Sequence, residues 1–315
     1  MKWIVSICLG LLLTFFVRDL AKPGLPTMHD SNPHIARMIA YGAALKDGQF
    51  PPMWGKELMG GIGSPVMMLN YQLPYMISES FVLMGRSIFE SYKLTLALSF
   101  VLSGLLMYQA LKSKYGTLPA WTGALVYTLA PYRFVDIYVR GALGESLSFI
   151  FPPLLIWGFS KKSWPLLILG WAGLFLTHPT ASAAFSAFFL GYLLLTLRKG
   201  ELIAQLKLFG GPYVIALLVA AFNLLPTLAL TRYTYYSPAL SDTMLMFPTL
   251  SQLFHSPWGY GVSMPGNSDG MSFALGFVQW SIFIASLVVA YRYKNITLRY
   301  LVGACATVLF FILPV

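Results

Sequence analysis

The chain has 315 residues, of which 57% are hydrophobic and only 10% are charged, and its formal net charge is +10 at pH 7. This composition excludes an ordinary soluble domain and favours a polytopic helical membrane protein. The positive charge is not a nucleic-acid signal, because it lies in short clusters beside apolar stretches, as the positive-inside rule describes. We therefore expect the lipid bilayer as a partner and no nucleic acid.

Nine apolar stretches approach the ~20 residues that a helix needs to cross a bilayer. They cover residues 3–17, 94–111, 117–132, 146–160, 164–178, 179–197, 208–230, 273–290 and 299–315. They predict an all-α transmembrane bundle of about nine to ten spans in a single domain, 1–315. Segment 66–90 is ambiguous between a full crossing and a re-entrant or interfacial stretch. Because the last apolar stretch has no polar tail, we expect the natural protein to continue further.

The side of the membrane on which each loop lies follows from the basic clusters. Placing those at 112–114, 161–162, 198–207 and 292–299 in the cytoplasm puts residues 133–145, His178 and the long segment 231–272 outside. The first loop, 18–65, has five basic residues, which alone argue for the cytoplasm. If 66–90 is re-entrant the loop is extracytoplasmic, and we favour this because a proline and polar residues interrupt 66–90. We expect this loop to carry surface helices.

A charged run separates two of the apolar stretches. It holds Arg133, Asp136, Arg140 and Glu145. Charges near hydrocarbon are costly, so they usually pair with one another, face a cavity or act on a substrate. Arg140 and Glu145 could form a structural ion pair. Alternatively, Arg140 or Arg133 could receive a phosphate, whose oxygens match the guanidinium fork, while Glu145 orients the arginine or binds a sugar hydroxyl.

A second polar island surrounds Asp30 in the first loop. The carboxylate could simply cap the helix that follows it. Alternatively, it could act as a general base or a metal ligand. His29 and His34 flank it, and two imidazoles with a carboxylate could bind a divalent cation, although the spacing matches no strong metal motif. The sequence therefore predicts no metal ligand firmly and leaves a divalent metal open.

Three further residues are candidates for substrate contact. His178 lies at the break between two apolar stretches, where a histidine is either a hydrogen-bonded junction residue or a ligand contact. Trp258 and Tyr260 lie in segment 231–272 among glycines and prolines that specify turns. Such aromatic residues either form a membrane belt or stack on a sugar.

The chain resembles the GT-C superfamily of membrane glycosyltransferases, and within it the prokaryotic membrane proteins labelled 6-pyruvoyl-tetrahydropterin synthase-related. The matching motifs are, in order, His29-Asp30-x-x-x-His34-x-x-Arg37, Asp47-Gly-Gln-Phe-Pro-Pro-x-Trp54, Gly63-x-Pro65, Tyr71-x-x-Pro74-Tyr75, Pro131-Tyr-Arg-x-x-Asp-x-Tyr-x-Arg-Gly-x-x-x-Glu145, Thr177-His178-Pro179 and Ser256-Pro-Trp-Gly-Tyr-Gly261. They extend over most of the chain. The family label implies no pterin chemistry, and no residue here suggests any.

The resemblance implies a function at the outer face of a prokaryotic plasma membrane. Enzymes of this class transfer a sugar from a polyprenyl-phosphate carrier with inversion, and an acidic residue in their first external loop corresponds to Asp30. Taken with the polar islands, it predicts Asp30 and Glu145 as catalytic residues and, as substrate-binding residues, His34, Arg37, Arg133, Asp136, Arg140, His178, Trp258 and Tyr260. The first loop lacks an Asp-x-Asp or Asp-Glu pair, so metal use stays open.

Two other functions remain as alternatives. A transporter or flippase for a lipid-linked saccharide would place charges mid-span and show inverted repeats. Here the charges cluster at span ends and no repeat is visible, so transport ranks second. An inactive membrane scaffold of the same fold is the second alternative and ranks third among the three hypotheses.

Overall fold

Helices make up most of the chain, which the computed structural model describes over residues 2–196, 200, 202–234, 247–264 and 268–311. In chain order the α-helices are α1 (Lys2–Phe16), α2 (Ser31–Lys46), α3 (Val66–Leu69), α4 (Leu73–Leu83), α5 (Ile88–Tyr115), α6 (Thr117–Thr128), α7 (Pro131–Phe134), α8 (Leu143–Ser148), α9 (Phe151–Lys161), α10 (Trp164–Thr177), α11 (Pro179–Thr196), α12 (Leu202–Gln205), α13 (Gly211–Leu230), α14 (Leu250–Phe254), α15 (Phe277–Tyr293) and α16 (Ile296–Phe311). Two π-helices, Val135–Arg140 and Leu206–Gly210, interrupt this series. No β-strand forms in the described ranges, where an isolated bridge joins Gly55 and Ser64.

The all-α prediction is confirmed, and each of the nine apolar stretches holds a helix. By length and composition three helical segments can cross a membrane, namely Ile88–Tyr115, Leu143–Lys161 and Leu202–Tyr233. Five further apolar helices have 10–17 residues. The apolar helices therefore fit a membrane protein with three candidate spans, and the total of nine to ten spans stays a prediction.

The ambiguous segment 66–90 does not form one long helix. It contains α3, α4 and the first residues of α5. The 11 residues of α4 rise about 16 Å, roughly half the thickness of a hydrocarbon core. Within residues 18–65 the 16-residue α2 buries one face and exposes the other, and its place at the membrane surface stays a prediction.

The longest helix, α5, is the centre of the bundle, because α1, α4, α6, α8 and α9 all pack against it. Its buried side carries small hydroxyl residues, namely Ser91, Thr95, Ser99 and Ser103. At Gly104 an added Cβ would lie 2.5 Å from a methyl carbon of Leu13 and 2.7 Å from Oγ1 of Thr128. Small residues therefore let α1 and α6 approach α5 closely, as is common where helices pack in a bilayer.

Two hydrophobic clusters form the core, and α8 joins them. The first lies around α1, α2, α5 and α6, and the second around α9, α10 and α13. Leu143, at the start of α8, belongs to the first cluster, whereas Leu147 belongs to the second. The charged run 131–145 therefore leads into the helix that connects both halves of the core.

A left-handed turn at Gly141 ends the first π-helix and directs the chain into α8. Gly141 has φ +66°, which favours glycine. A Cβ at this position would lie 2.3 Å from the Tyr92 hydroxyl oxygen and 2.7 Å from Sδ of Met28. The Tyr92 hydroxyl donates a hydrogen bond of 2.7 Å to the Gly141 carbonyl. Both the backbone conformation and the lack of space therefore require glycine here.

We predict that Gly141→Ala destabilises the fold more than a matched replacement, Gly85→Ala. Gly85 also has a positive φ (+87°), but nothing lies within 4 Å of a Cβ built there. Gly85→Ala should therefore lower the free energy of unfolding by about 1 kcal/mol, which is the cost of holding an alanine in the left-handed conformation. Gly141→Ala should lower it by about 3 kcal/mol, because overpacking adds to that cost. Thermal unfolding in detergent micelles measures both, and equal losses would contradict the close packing at Tyr92.

Candidate functional site

The charges of the run 131–145 form a compact network at the turn between the π-helix and α8. Arg140 is the last residue of the π-helix and Glu145 lies in the first turn of α8. Nη1 of Arg140 lies 2.5 Å from Oε2 of Glu145 and donates a 2.6 Å hydrogen bond to the Tyr132 hydroxyl. That hydroxyl in turn donates to Oε1 of Glu145. Arg140 and Glu145 thus form the ion pair that was one of the two sequence-based alternatives, and Tyr132 closes it into a three-residue network.

Arg133 and Asp136 lie beneath this network and are closed off from solvent. Arg133 is 1% exposed and Asp136 0%. Ser146 joins them, because its hydroxyl donates to Oδ2 of Asp136 at 2.6 Å and its carbonyl accepts from Arg133 at 3.2 Å. The Arg133 guanidinium also stacks 4.1 Å from the centre of the Phe149 ring. In this conformation both predicted substrate-binding residues instead hold the turn, and a phosphate could reach Arg140 but not Arg133.

The buried pair is not fully satisfied by hydrogen bonds. Nε of Arg133 and Oδ1 of Asp136 are buried without a hydrogen-bond partner, and Oδ1 has only Nη1 of Arg140 at 3.7 Å. Burial, and then the negative charge of Glu145, raise the pKa of the Asp136 carboxyl. The turn therefore holds two different carboxyl groups. Asp136 lies beneath and binds a proton more readily than an exposed aspartate, whereas Glu145 is ion-paired with Arg140.

The first loop pairs with this turn through its backbone. The amide of His29 donates to the Val139 carbonyl at 3.0 Å, and the amide of Asp30 donates to the Arg140 carbonyl at 2.8 Å. Asp30 is the N-cap residue of α2, yet its side chain accepts no hydrogen bond from that helix. The capping role weighed from the sequence is therefore not what its carboxylate does, although the residue lies where a cap would be.

Behind Asp30, two tyrosines connect α2 to the turn. Nδ1 of His34 lies 3.0 Å from the Tyr75 hydroxyl, and Nε2 accepts a 3.4 Å hydrogen bond from the Leu143 amide. The Tyr75 ring stacks on the Tyr71 ring with centroids 5.6 Å apart, and the charge of Arg37 is near enough to act on the Tyr75 hydroxyl. Burial, and secondarily the charge of Arg37, lower the pKa of His34 to about 3. The imidazole is therefore neutral and serves as an internal acceptor rather than as an open substrate contact.

His178 approaches the network from the junction between α10 and α11. Its Nδ1 lies 2.8 Å from the Thr180 hydroxyl and accepts from the Ala181 amide at 3.2 Å, so it caps α11. Burial lowers the pKa of His178, and the nearby Glu145 opposes this effect. The side chain is half-buried near the Arg140–Glu145 pair. His178 is therefore a hydrogen-bonded junction residue, and it also lies next to the candidate site.

The second long segment reaches the first loop near His29. Nε2 of His29 lies 3.2 Å from the Tyr260 carbonyl oxygen, and the rings of Trp258 and Tyr260 meet edge to face with centroids 6.0 Å apart. Trp258 is 47% and Tyr260 65% exposed, so both rings are open to a ligand. The remainder of segment 231–272 includes residues 235–246 and 265–267, which lie outside the described residues, as do the aromatic Tyr235 and Tyr236.

Among the described residues, no group of three or more His, Cys, Asp or Glu side chains is placed to hold a metal ion. His34 uses both ring nitrogens internally, and His29 faces Tyr260. The set Asp30, His29 and His34 therefore does not form the metal site that the sequence left open.

The predicted site residues did not include Tyr71, Tyr75 and Tyr132, although all three lie within the polar site of the structure. Each lies in a motif quoted above, where an aromatic residue in an apolar stretch is indistinguishable from core. The one available signal was position: Tyr71 and Tyr75 are four residues apart in the sequence, and Tyr132 directly precedes Arg133.

Comparisons with known proteins give a relative without a stated activity. A protein described only as "Uncharacterized protein", from Lactococcus lactis subsp. cremoris (strain MG1363), is 28% identical over 259 residues, which cover 76% of this chain. The match covers 41% of the length of that relative. No family model and no solved structure matches the chain. The geometry of the site is therefore the main guide to function.

The buried His34 predicts a defined pH dependence of stability. Its pKa is lowered on folding, so the unfolded chain takes up an extra proton as the pH falls below about 6.5, and stability is lost from there downward. Between pH 7.5 and pH 5.0 this effect should lower the unfolding free energy of the wild type by about 2 kcal/mol relative to that of His34→Gln, a difference in which the opposite contribution of Asp136 cancels. His34→Gln should lack it, whereas His29→Gln leaves His34 in place and should behave as the wild type. Unfolding at the two pH values measures the term, and a parallel loss in His34→Gln would refute the assignment.

Proposed function

We propose that the chain is a polytopic prokaryotic plasma-membrane protein that transfers a sugar from a polyprenyl-phosphate donor to an acceptor at the outer face. The observation that supports it most is the position of Asp30. Its carboxylate accepts no capping hydrogen bond from α2, and its backbone amide donates to the Arg140 carbonyl at 2.8 Å, so the two chain segments that carry this acidic group and this cation run side by side.

In this proposal Asp30 is the general base. The acceptor hydroxyl oxygen attacks the anomeric carbon, and the bond from that carbon to the phosphate oxygen breaks, with its electron pair leaving on the polyprenyl phosphate. The hydroxyl proton passes to the Asp30 carboxylate, and the configuration inverts. A positioned base of this kind contributes roughly 10²–10⁴-fold to a rate.

Arg140 would bind the phosphate that leaves. Its contacts to Tyr132, Asp136 and Glu145 all use Nη1, and no described residue accepts a hydrogen bond from its Nη2. The guanidinium is thus held on one side and offers donors on the other, a geometry suited to phosphate oxygens. Glu145 and Tyr132 orient this arginine, and Trp258 and Tyr260 provide rings on which a sugar can stack.

A neighbouring apolar cavity suits the carrier chain. It has a volume of about 400 Å³ and extends from Tyr132 along Phe188, Trp280, Phe283 and Cys305. Tyr132 belongs to both the charged network and this cavity. A polyprenyl tail could therefore lie against α15 and α16 while its phosphate meets Arg140.

The test compares Asp30→Asn with a control in the same loop, Asp19→Asn. The carboxylate of Asp19 is exposed and pairs with Lys22 at 2.7 Å. The chain is reconstituted in vesicles with a panel of polyprenyl-phosphate-linked hexoses, and release of polyprenyl phosphate is followed. We expect Asp30→Asn to lower the turnover by at least about 100-fold with no loss of thermal stability, and the control to retain the wild-type rate.

Two results would contradict the proposal. The first is an Asp30→Asn variant that turns over at the wild-type rate. The second is a wild-type chain that moves lipid-linked sugar across the bilayer without releasing polyprenyl phosphate, which would favour the transporter reading.

A further inference from the structure

A groove separate from the candidate site opens between the end of α1 and the start of α5. Its volume is about 370 Å³, and Lys93 separates it from a second groove that extends toward Tyr260. The Tyr138 hydroxyl donates to the Phe16 carbonyl at 3.0 Å, which places this end of α1 beside the π-helix. The groove therefore lies at the same end of the bundle as the charged network.

Three cations line the groove: Arg18, Arg86 and Lys93. None of them lies within 4.0 Å of a carboxylate oxygen in the described part of the chain. The one acidic residue of the lining, Glu90, is used by the start of α5, because it accepts hydrogen bonds from the amide and the hydroxyl of Ser87 at 3.0 Å. The groove thus has three cations against one carboxylate and keeps a net positive charge.

Two of the cations are held in place. The Arg18 guanidinium donates to the Phe15 carbonyl at 3.2 Å and stacks 3.9 Å from the centre of the Phe15 ring. Lys93 is only 6% exposed, and its ammonium donates to the carbonyls of Lys22 at 2.5 Å and Gly24 at 2.9 Å. These partners are neutral carbonyls, so they fix the ammonium without neutralising its charge.

The rest of the lining is mostly apolar. Val17 and Leu20 follow α1, and Leu94 and Ala97 lie on α5. Cations with an apolar surface beside them are the pattern that suits an anionic lipid, whose phosphate meets guanidinium groups while its acyl chain contacts the apolar residues. A soluble anion would use the cations but would leave the apolar part exposed.

We propose that this groove binds an anionic phospholipid of the surrounding bilayer. The phosphate lies between Arg18 and Arg86 with Lys93 behind it, and one acyl chain runs past Leu94 and Ala97. Because Lys93 also holds the carbonyls of Lys22 and Gly24, the bound lipid steadies the segment that leads to Asp30.

The test is lipid retention measured by native mass spectrometry. The full chain is released from nanodiscs that contain either phosphatidylglycerol or phosphatidylcholine. The test variant is Arg18→Gln with Arg86→Gln, both exposed positions, and the control is Arg292→Gln with Lys294→Gln, which removes the same charge elsewhere. Circular dichroism checks that the helix content of each variant is unchanged.

We expect the wild type and the control to retain phosphatidylglycerol and not phosphatidylcholine. The test variant should bind it roughly 25-fold more weakly, about fivefold for each guanidinium removed. Equal retention by the test variant and the control would overturn the proposal, as would equal retention of the two lipids by the wild type. Displacement of the lipid by millimolar inorganic phosphate would also overturn it, because the groove would then be a site for free anions.

Discussion

The ion pair between Arg140 and Glu145 is the interaction on which the rest of this structure depends. In a chain with so few charges, a cation and an anion at the edge of the apolar core must compensate each other or be lost from the fold. The π-helix Val135–Arg140 and the left-handed Gly141 bring the two together across five residues, and Tyr132 fixes the pair from the side. Because α8 starts at this pair and belongs to both hydrophobic clusters, the charged turn is also a structural joint.

The same turn organises the first loop. Two backbone hydrogen bonds from His29 and Asp30 join it to the π-helix, and His34 bonds to the Leu143 amide from the other side. Burial therefore separates the polar residues into two groups. Arg133, Asp136 and His34 are enclosed and hold the turn, whereas Asp30, Arg140, Trp258 and Tyr260 remain within reach of a ligand. The enclosed residues hold the turn in place, and the turn in turn positions both the proposed base, Asp30, and the proposed phosphate contact, Arg140.

Much of the fold follows from the sequence, because apolar length and breaks dictate where helices form. Charge counts alone did not group Asp30 with residues 131–145, and the grouping depended on interpreting 66–90 as an incomplete crossing. In the structure the backbone hydrogen bonds from His29 and Asp30 join the two segments. Two of the basic residues of loop 18–65 have local partners, Lys22 with Asp19 and Lys56 with Asp47, so their count overstates the uncompensated positive charge of this loop. Which charges are buried could not be predicted, since that depends on Ser146 and Phe149 packing against Arg133. The π-helix could not be predicted either. It changes the direction in which the Arg140 side chain points, but amino-acid composition carries no sign of it.

The most direct test of this account is the sidedness of the two polar islands. In a chain with Cys8→Ser and Cys305→Ser, single cysteines are introduced as Asn32→Cys in α2, Thr180→Cys beside His178, and Lys161→Cys at the far end of α9, all exposed positions. A membrane-impermeant thiol reagent is then applied to intact cells and to inverted vesicles. Positions 32 and 180 should react from the outside, and position 161 should react only from the inside. Labelling of position 32 from the same side as 161 would contradict this expectation, because Asp30 and Arg140 could then not share one face.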